Sequence, residues 1–292
     1  MGMEKKNARM KDICMVALDL DETTLRSDGT LSERTGMALE AALQAQMEVV
    51  VASGRPYGSL PGEILGMPGL RYAVTSNGAA IHRLPSGERL HSFSLEERAV
   101  ERLLDLLVPA GACLEAYNEG VAHSDAAFVA NPQAYGCVSD SSLRYIRATR
   151  TAQADMPGYI REHMGQLDGI SIRCRDLEEK QRFAHLIRKH VPEVYLTTSF
   201  SHLLEMVSPK AGKGAGVCYL SQRLGIPRER IAAFGNGDND QDMLDFAGVG
   251  VAVANASKAC LAAADRITKS NDEDGVALVL EEILRAKREH GL

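Results

Sequence analysis

Ile13–Leu25 reads ICMVALDLDETTL, a short apolar run broken by two aspartates one residue apart, Asp19 and Asp21, and then by Thr23 and Thr24. Ile13, Val16, Ala17 and Leu18 show no polar alternation, the pattern of a strand buried on both faces in a parallel sheet. The carboxylates then fall at the carboxyl end of that strand, the edge of an open α/β sheet where ligands bind. Period-2 geometry sends both to one side unless the chain has already turned. Two carboxylates about 4 Å apart repel by roughly 4 kcal/mol at an effective dielectric of about 20, so a positive group is expected between them. Magnesium accepts one or two carboxylates together with water and phosphate oxygens. Read without a cation, the stretch is a strand end with solvated acids, or a turn in which an Asp serves as a cap.

The next segments repeat this grammar. Ser32 caps a helix expected to run to Gln46, and Glu48–Ala52 is a second buried strand ending in Ser53-Gly54-Arg55-Pro56. Ser53 with a neighbouring backbone N–H can hold a phosphate oxygen, and Gly54 permits close backbone approach; the alternative is a plain turn with Ser as cap. Arg71–Thr75 is a third strand ending in Ser76-Asn77-Gly78. Asn-Gly is foremost a turn signal, with substrate contact by Asn77 a secondary reading. Pro85-Ser86-Gly87 between Ile81 and Leu90 predicts a hairpin.

From about Leu95 the pattern changes. LEERAVERLLDLL is an amphipathic helix, followed by short strands near Ala112–Tyr117 and Gly120–His123 and a polar, irregular stretch to about Ala154. Gly169–Arg173 and Val194–Thr198 read as strands and Leu177–His190 as a helix. No strand here ends in acid, so the segment reads as an inserted α/β module that covers something.

The carboxyl third returns to the first grammar. Strand Leu203–Val207 leads through Ser208-Pro209-Lys210-Ala211-Gly212-Lys213-Gly214 into a helix closed by Gly225. Lys213 stands at a helix start, where the macrodipole disfavours a cation and a bound anion would explain it; Lys210 is the competing residue. Strand Ile231–Phe234 runs into Gly235-Asn236-Gly237-Asp238-Asn239-Asp240 and then a helix from Gln241. These side-chain oxygens are the hard donors magnesium takes. Val249–Val253, Asp265–Thr268 and helices at 257–264 and 274–287 complete the pattern.

Composition bounds the function. The 292 residues, 45% hydrophobic, suffice for one large or two moderate domains. A net charge of −6 with no basic block argues against nucleic acid or an anionic membrane as partner. Six scattered cysteines form no C-x-x-C pair, and Cys14 and Cys218 read as small core residues. The isolated histidines lack metal-ligand spacing. The amino-terminal MGMEKKNARMKD has no apolar signal core, and Gly2 lacks the downstream Ser or Thr of a myristoylation site, so the cytoplasm is the expected location.

D-L-D-E-T at 19–23, S-G-R at 53–55, K-G at 213–214 and G-N-G-D-N-D at 235–240, in this order at strand ends, resemble the haloacid dehalogenase superfamily. The Asn77-Gly78 turn and S-N-D-E-D-G-V-A at 270–277 resemble its Cof-type phosphatase branch. The resemblance implies a doubly wound, Rossmann-like parallel-sheet core (1–92 and 203–292) with a smaller α/β cap inserted at 93–202. It also implies Asp19 as nucleophile, Asp21 as general acid and base with its carbonyl on Mg2+, and catalytic Lys213. Leu20, Ser53, Gly54, Arg55, Asn77 and Asn239 form the expected substrate-binding set. Asp19, Asp21, Asn236 and Asp240 form the expected metal set, Asn236 standing where the family usually has Asp, and Asp238 or Asp240 compensating. Glu22 replaces the commoner Gly.

The expectation is a magnesium-dependent phosphatase of small phosphorylated metabolites, sugar phosphates foremost. A sugar-phosphate mutase and a non-catalytic phospho-ligand binder are the alternatives. Oligomeric state is not legible.

Overall fold

A computed structural model describes residues 10–291. The reading of residues 1–9, Gly2 included, lies outside the described residues.

The first strands are β1 (Met15–Leu18), β2 (Glu48–Ala52), β3 (Tyr72–Thr75), β4 (Ala80–Arg83) and β5 (Arg89–Ser92). Next come β6 (Cys113–Asn118), β7 (Val121–Asp125), β8 (Arg150–Gln153), β9 (Leu167–Arg173), β10 (Tyr195–Thr197) and β11 (Leu203–Val207). The chain ends with β12 (Ile231–Gly235), β13 (Val249–Ala252) and β14 (Arg266–Ile267). They form an eight-stranded sheet, β14-β13-β12-β1-β2-β3-β4-β5, and a six-stranded sheet, β10-β11-β9-β6-β7-β8.

In the larger sheet all neighbours from β14 to β3 are parallel, and β4 and β5 add the expected hairpin as an antiparallel edge. β1 is buried throughout because its alternate residues feed two cores. Val16 and Leu18 join one apolar cluster with the helices Glu33–Gln44 and Gly275–Glu289. Met15 and Ala17 join the other, with the helices Lys213–Leu224 and Gln241–Phe246. From β1 the chain winds one way to β2 and β3, and later the other way from β12 to β14. The switch point at β1 and β12 is where such folds open a crevice. The α/β, doubly wound reading stands.

The smaller sheet has the same two-sidedness with different chemistry. Leu114 and Ala116 of β6, Ile170 and Ile172 of β9, and Leu204 and Met206 of β11 pack on helices Glu97–Leu107 and Leu177–His190. Glu115, Tyr117, Ser171, Arg173 and Glu205 alternate with them and so share the opposite face, where all five are buried.

Three readings need correction. β11 pairs with β9 and β10, so Leu203–Val207 belongs to the inserted sheet, and the boundary placed at 203 moves past Val207. An apolar strand carries no label of its sheet. The stretch read as irregular holds helices Ala126–Ala130 and Asp140–Thr149 and strand β8. In the second helix Ile146 alone is fully buried, too little to show a period. Cys14 and Cys218 are half-buried, whereas Cys113, Cys174 and Cys260 are buried; all six are free. No helix among the described residues is long and apolar enough to cross a membrane.

Candidate active site

β1 ends at Leu18, and the chain turns at once into one wide helical turn, Leu20–Thr24, with Glu22 in the left-handed region (φ 55°). Asp19 and Asp21 therefore enter the cleft from a turn, not from alternate strand positions. The Asp19 N–H donates to Phe234 O on β12 at 3.0 Å, and Thr24 Oγ1 donates to Asp19 O at 2.6 Å. Leu20 is buried in the core, so only its main chain can reach a substrate.

Lys213 opens its helix with Nζ 2.6 Å from Asp19 Oδ1 and 2.6 Å from Asp240 Oδ1. Lys210 is exposed, which decides between the two lysines. The approach that seats Lys213 depends on Gly78 (φ 84°), where a Cβ would lie 1.8 Å from Gly212 O. Burial alone would lower the Lys213 pKa, but Asp19 and Asp240 outweigh it and hold the ammonium charged. Asp19 is pushed up to about 7, first by burial and then by the Asp240 carboxylate, with Lys213 opposing.

Asp240 engages both oxygens, since its Oδ2 accepts the N–H groups of Asn236 at 2.9 Å and Gly237 at 2.8 Å. It therefore braces both the loop and Lys213. Asp238 accepts from Ser257 Oγ at 2.6 Å and does not line the cleft that holds Asp19. Asn236 faces the cleft, its Oδ1 accepting Thr23 Oγ1 at 3.0 Å.

Arg55 grips Asp21 with two bonds, Nε to Oδ2 at 2.9 Å and Nη2 to Oδ1 at 2.5 Å. Burial would lower the Arg55 pKa, but Asp21 raises it above its ordinary value. Ser53 is buried and its Oγ accepts the Arg55 N–H at 3.1 Å, leaving its own proton to donate. Asn239 Nδ2 donates to Asn77 Oδ1 at 2.8 Å, and Asn77 Nδ2 donates to Glu205 Oε1 at 2.8 Å. Asn77 is thus a link between the two sheets rather than an open contact. A Cβ on Gly54 would lie 3.1 Å from Asn77 Oδ1, so that position is closely packed.

Asp19, Asp21, Gly54, Arg55, Asn236 and Asn239 line the floor of a cleft of about 510 Å3 whose roof is the polar face of the second sheet. Glu205, Tyr145, Arg150 and Arg173 were not expected there. Their signal was available in part, as the residues alternating with the apolar positions of β9 and β11.

The family model described as haloacid dehalogenase-like hydrolase matches residues 16–280. The chain belongs to that family. It is accordingly a hydrolase, and several of its relatives bear the names of phosphatases. One, from Bacillus subtilis, is a 5-amino-6-(5-phospho-D-ribitylamino)uracil phosphatase, 33% identical over 92% of this chain and 96% of its own. Another Bacillus subtilis phosphatase is 30% identical over 92% of this chain and 99% of its own. A haloacid dehalogenase-like hydrolase structure from B. subtilis superposes with a TM-score of 0.78 at 26% identity, covering 92% of this chain and 99% of that one. The haloacid dehalogenase resemblance read from the motifs is thereby established.

Proposed function

We propose that this haloacid dehalogenase-like hydrolase is a magnesium-dependent phosphatase of small phosphomonoesters, sugar phosphates foremost, acting in the cytoplasm through an aspartyl-phosphate on Asp19. The observation that carries the reading is Lys213 held between Asp19 and Asp240 beneath a roofed cleft. The relative named for a phosphoribitylamino-uracil supports a phosphorylated polyol or sugar as the skeleton.

Asp19 Oδ1 is fixed by Lys213, which leaves Oδ2 to attack phosphorus as the ester P–O bond breaks. Asp21 gives its proton to the departing alkoxide and then takes one from the water that cleaves the acyl-phosphate. Arg55 occupies both Asp21 oxygens, so the acid step requires that pair to open. Uncatalysed phosphate-monoester hydrolysis is slow enough that enhancements approach ~10²¹, and positioning with charge neutralisation must supply most of it.

The donor set supports magnesium. Asp19, Asp21 and Asp240 outnumber the cations Lys213 and Arg55 by one, and the Asp19 pKa is raised first by burial and then by the Asp240 carboxylate. Asp19 Oδ1, the Asp21 carbonyl and Asn236 Oδ1 would hold the ion, with Asp240 bracing them from behind. When bound, it would offset the charge of the phosphate dianion.

Phosphate release from p-nitrophenyl phosphate and a metabolite panel tests the reading. Turnover with water as sole acceptor, lost with chelator and in Asp19→Asn, is expected. Transfer to a second sugar position would make the protein a mutase, and ligand binding without turnover would make it a sensor.

A further inference from the structure

On the polar face of the second sheet two guanidiniums share one buried carboxylate. Glu115 of β6 is fully buried and met from two sides, by Arg150 Nε at 3.1 Å and by Arg173 Nε, while Ser124 Oγ donates to it at 2.5 Å. Burial would push the Glu115 carboxyl up, but the two guanidiniums outweigh it and hold it at about 2. Glu115 alone pairs with both guanidiniums, Glu205 on the same face being taken up by Asn77 and Ser199, and the Arg150 and Arg173 side chains are only 3% and 9% exposed.

The geometry of Arg173 directs that charge. Its Nε is bound to Glu115 and its guanidinium lies 5.0 Å from the Phe128 ring, yet Nη1 and Nη2 donate to no acceptor among the described residues. Arg173 and Arg150 line the same cleft as Asp19. The Tyr145 ring spans the interval, with Arg55 at 4.4 Å and Arg150 at 4.7 Å from its centre.

A buried charge without a full complement of partners is costly, and packed apolar residues would serve a purely structural role at least as well. A guanidinium fork with two free N–H edges matches a carboxylate or a phosphate.

We infer that Arg173, assisted by Arg150, is a second anion-binding position on the roof of the cleft, and that the substrate carries another phosphate or carboxylate besides the scissile phosphate. This rests on the phosphatase reading and narrows its substrate class. The ester phosphate faces Asp19 and Lys213, and the second anionic group meets Arg173. A sugar monophosphate with no other charge leaves Arg173 unmatched.

The test compares glucose 6-phosphate, 6-phosphogluconate, fructose 1,6-bisphosphate and p-nitrophenyl phosphate in steady-state kinetics, with calorimetric binding to the Asp19→Asn protein as a second arm. Either 6-phosphogluconate or the bisphosphate should exceed glucose 6-phosphate at least tenfold in kcat/KM, mostly through KM, and their order shows which anion is preferred. Arg173→Gln should bring that ratio to about one while lowering p-nitrophenyl phosphate hydrolysis far less, and Arg173→Lys should keep part of the preference. If Arg173→Gln does not fold, at least a threefold fall of the ratio in Arg173→Lys takes its place. Equal kcat/KM for the charged and uncharged skeletons, or a proportionate loss on all four compounds, would overturn the inference. Should no compound be hydrolysed, the phosphatase reading fails by itself. Binding then decides: tenfold tighter 6-phosphogluconate than glucose 6-phosphate supports the second site, and equal affinities overturn it.

Discussion

The ammonium of Lys213 lies 2.6 Å from Asp19 Oδ1, joining residues 194 positions apart in the chain. The pair is buried on both sides, so each partner depends on the other for its charge. Lys213→Met should destabilise the fold by about 3–5 kcal/mol, because two buried carboxylates lose their cation. Asp19→Asn should leave the melting temperature near or above wild type while abolishing turnover. Thermal melts and phosphate release on both variants check this, and equal destabilisation by the two would contradict it.

The Asp19 carboxyl also sets a pH dependence. Its folded pKa of about 7 lies above the ordinary 3.8, so between those values the folded state keeps a proton that the unfolded state releases. Stability contributed by this group is therefore greatest at low pH and falls as pH rises through the window. Asp168 and Asp242, both raised to about 6 by burial, titrate in the same range, so the comparison with Asp19→Asn isolates the effect. Without metal, wild type should lose melting temperature from pH 5 to 7.5 more steeply than Asp19→Asn, and magnesium should restore the difference. Parallel curves would refute the assignment.

Arg55 pairs with Asp21 and lies against the cap residue Tyr145. Arg55→Met should lower kcat by roughly 10²-fold, the lower end of general acid–base contributions, with a much smaller change in KM. Arg55→Lys keeps charge without the fork and should recover only part. Steady-state kinetics check this, and an unchanged kcat in Arg55→Met would separate Arg55 from the acid–base step.

Asn236 faces the cleft with Oδ1 held by Thr23. Asn236→Asp preserves that acceptor and adds a charge, so the magnesium concentration for half-maximal activity should fall roughly tenfold, about 1.4 kcal/mol. An unchanged magnesium titration would remove Asn236 from the metal set.

The core was legible because its strands are apolar on both faces and end in chemistry. β2 spans the residues read for it, and Ser32 caps its helix by accepting Thr35 N at 3.1 Å. The order of the four motifs named the family because three sit at strand ends on one sheet edge and Lys213 opens a helix that brings it to Asp19. What stayed hidden was pairing. Nothing local in Leu203–Val207 says that it joins β9, and nothing in Asp240 says that its oxygens are taken by Lys213 and two backbone N–H groups. The cap's contribution was hidden for a second reason: Glu115 and Arg173 sit in strands whose polar face looks solvent-directed until the core is placed against it.

The most direct measurement is mass spectrometry of protein acid-quenched during turnover of p-nitrophenyl phosphate with magnesium. The account predicts one phosphoryl group on the peptide carrying Asp19, absent in Asp19→Asn. An unmodified Asp19 during continuing turnover, or a phosphoryl group on another residue, would contradict it.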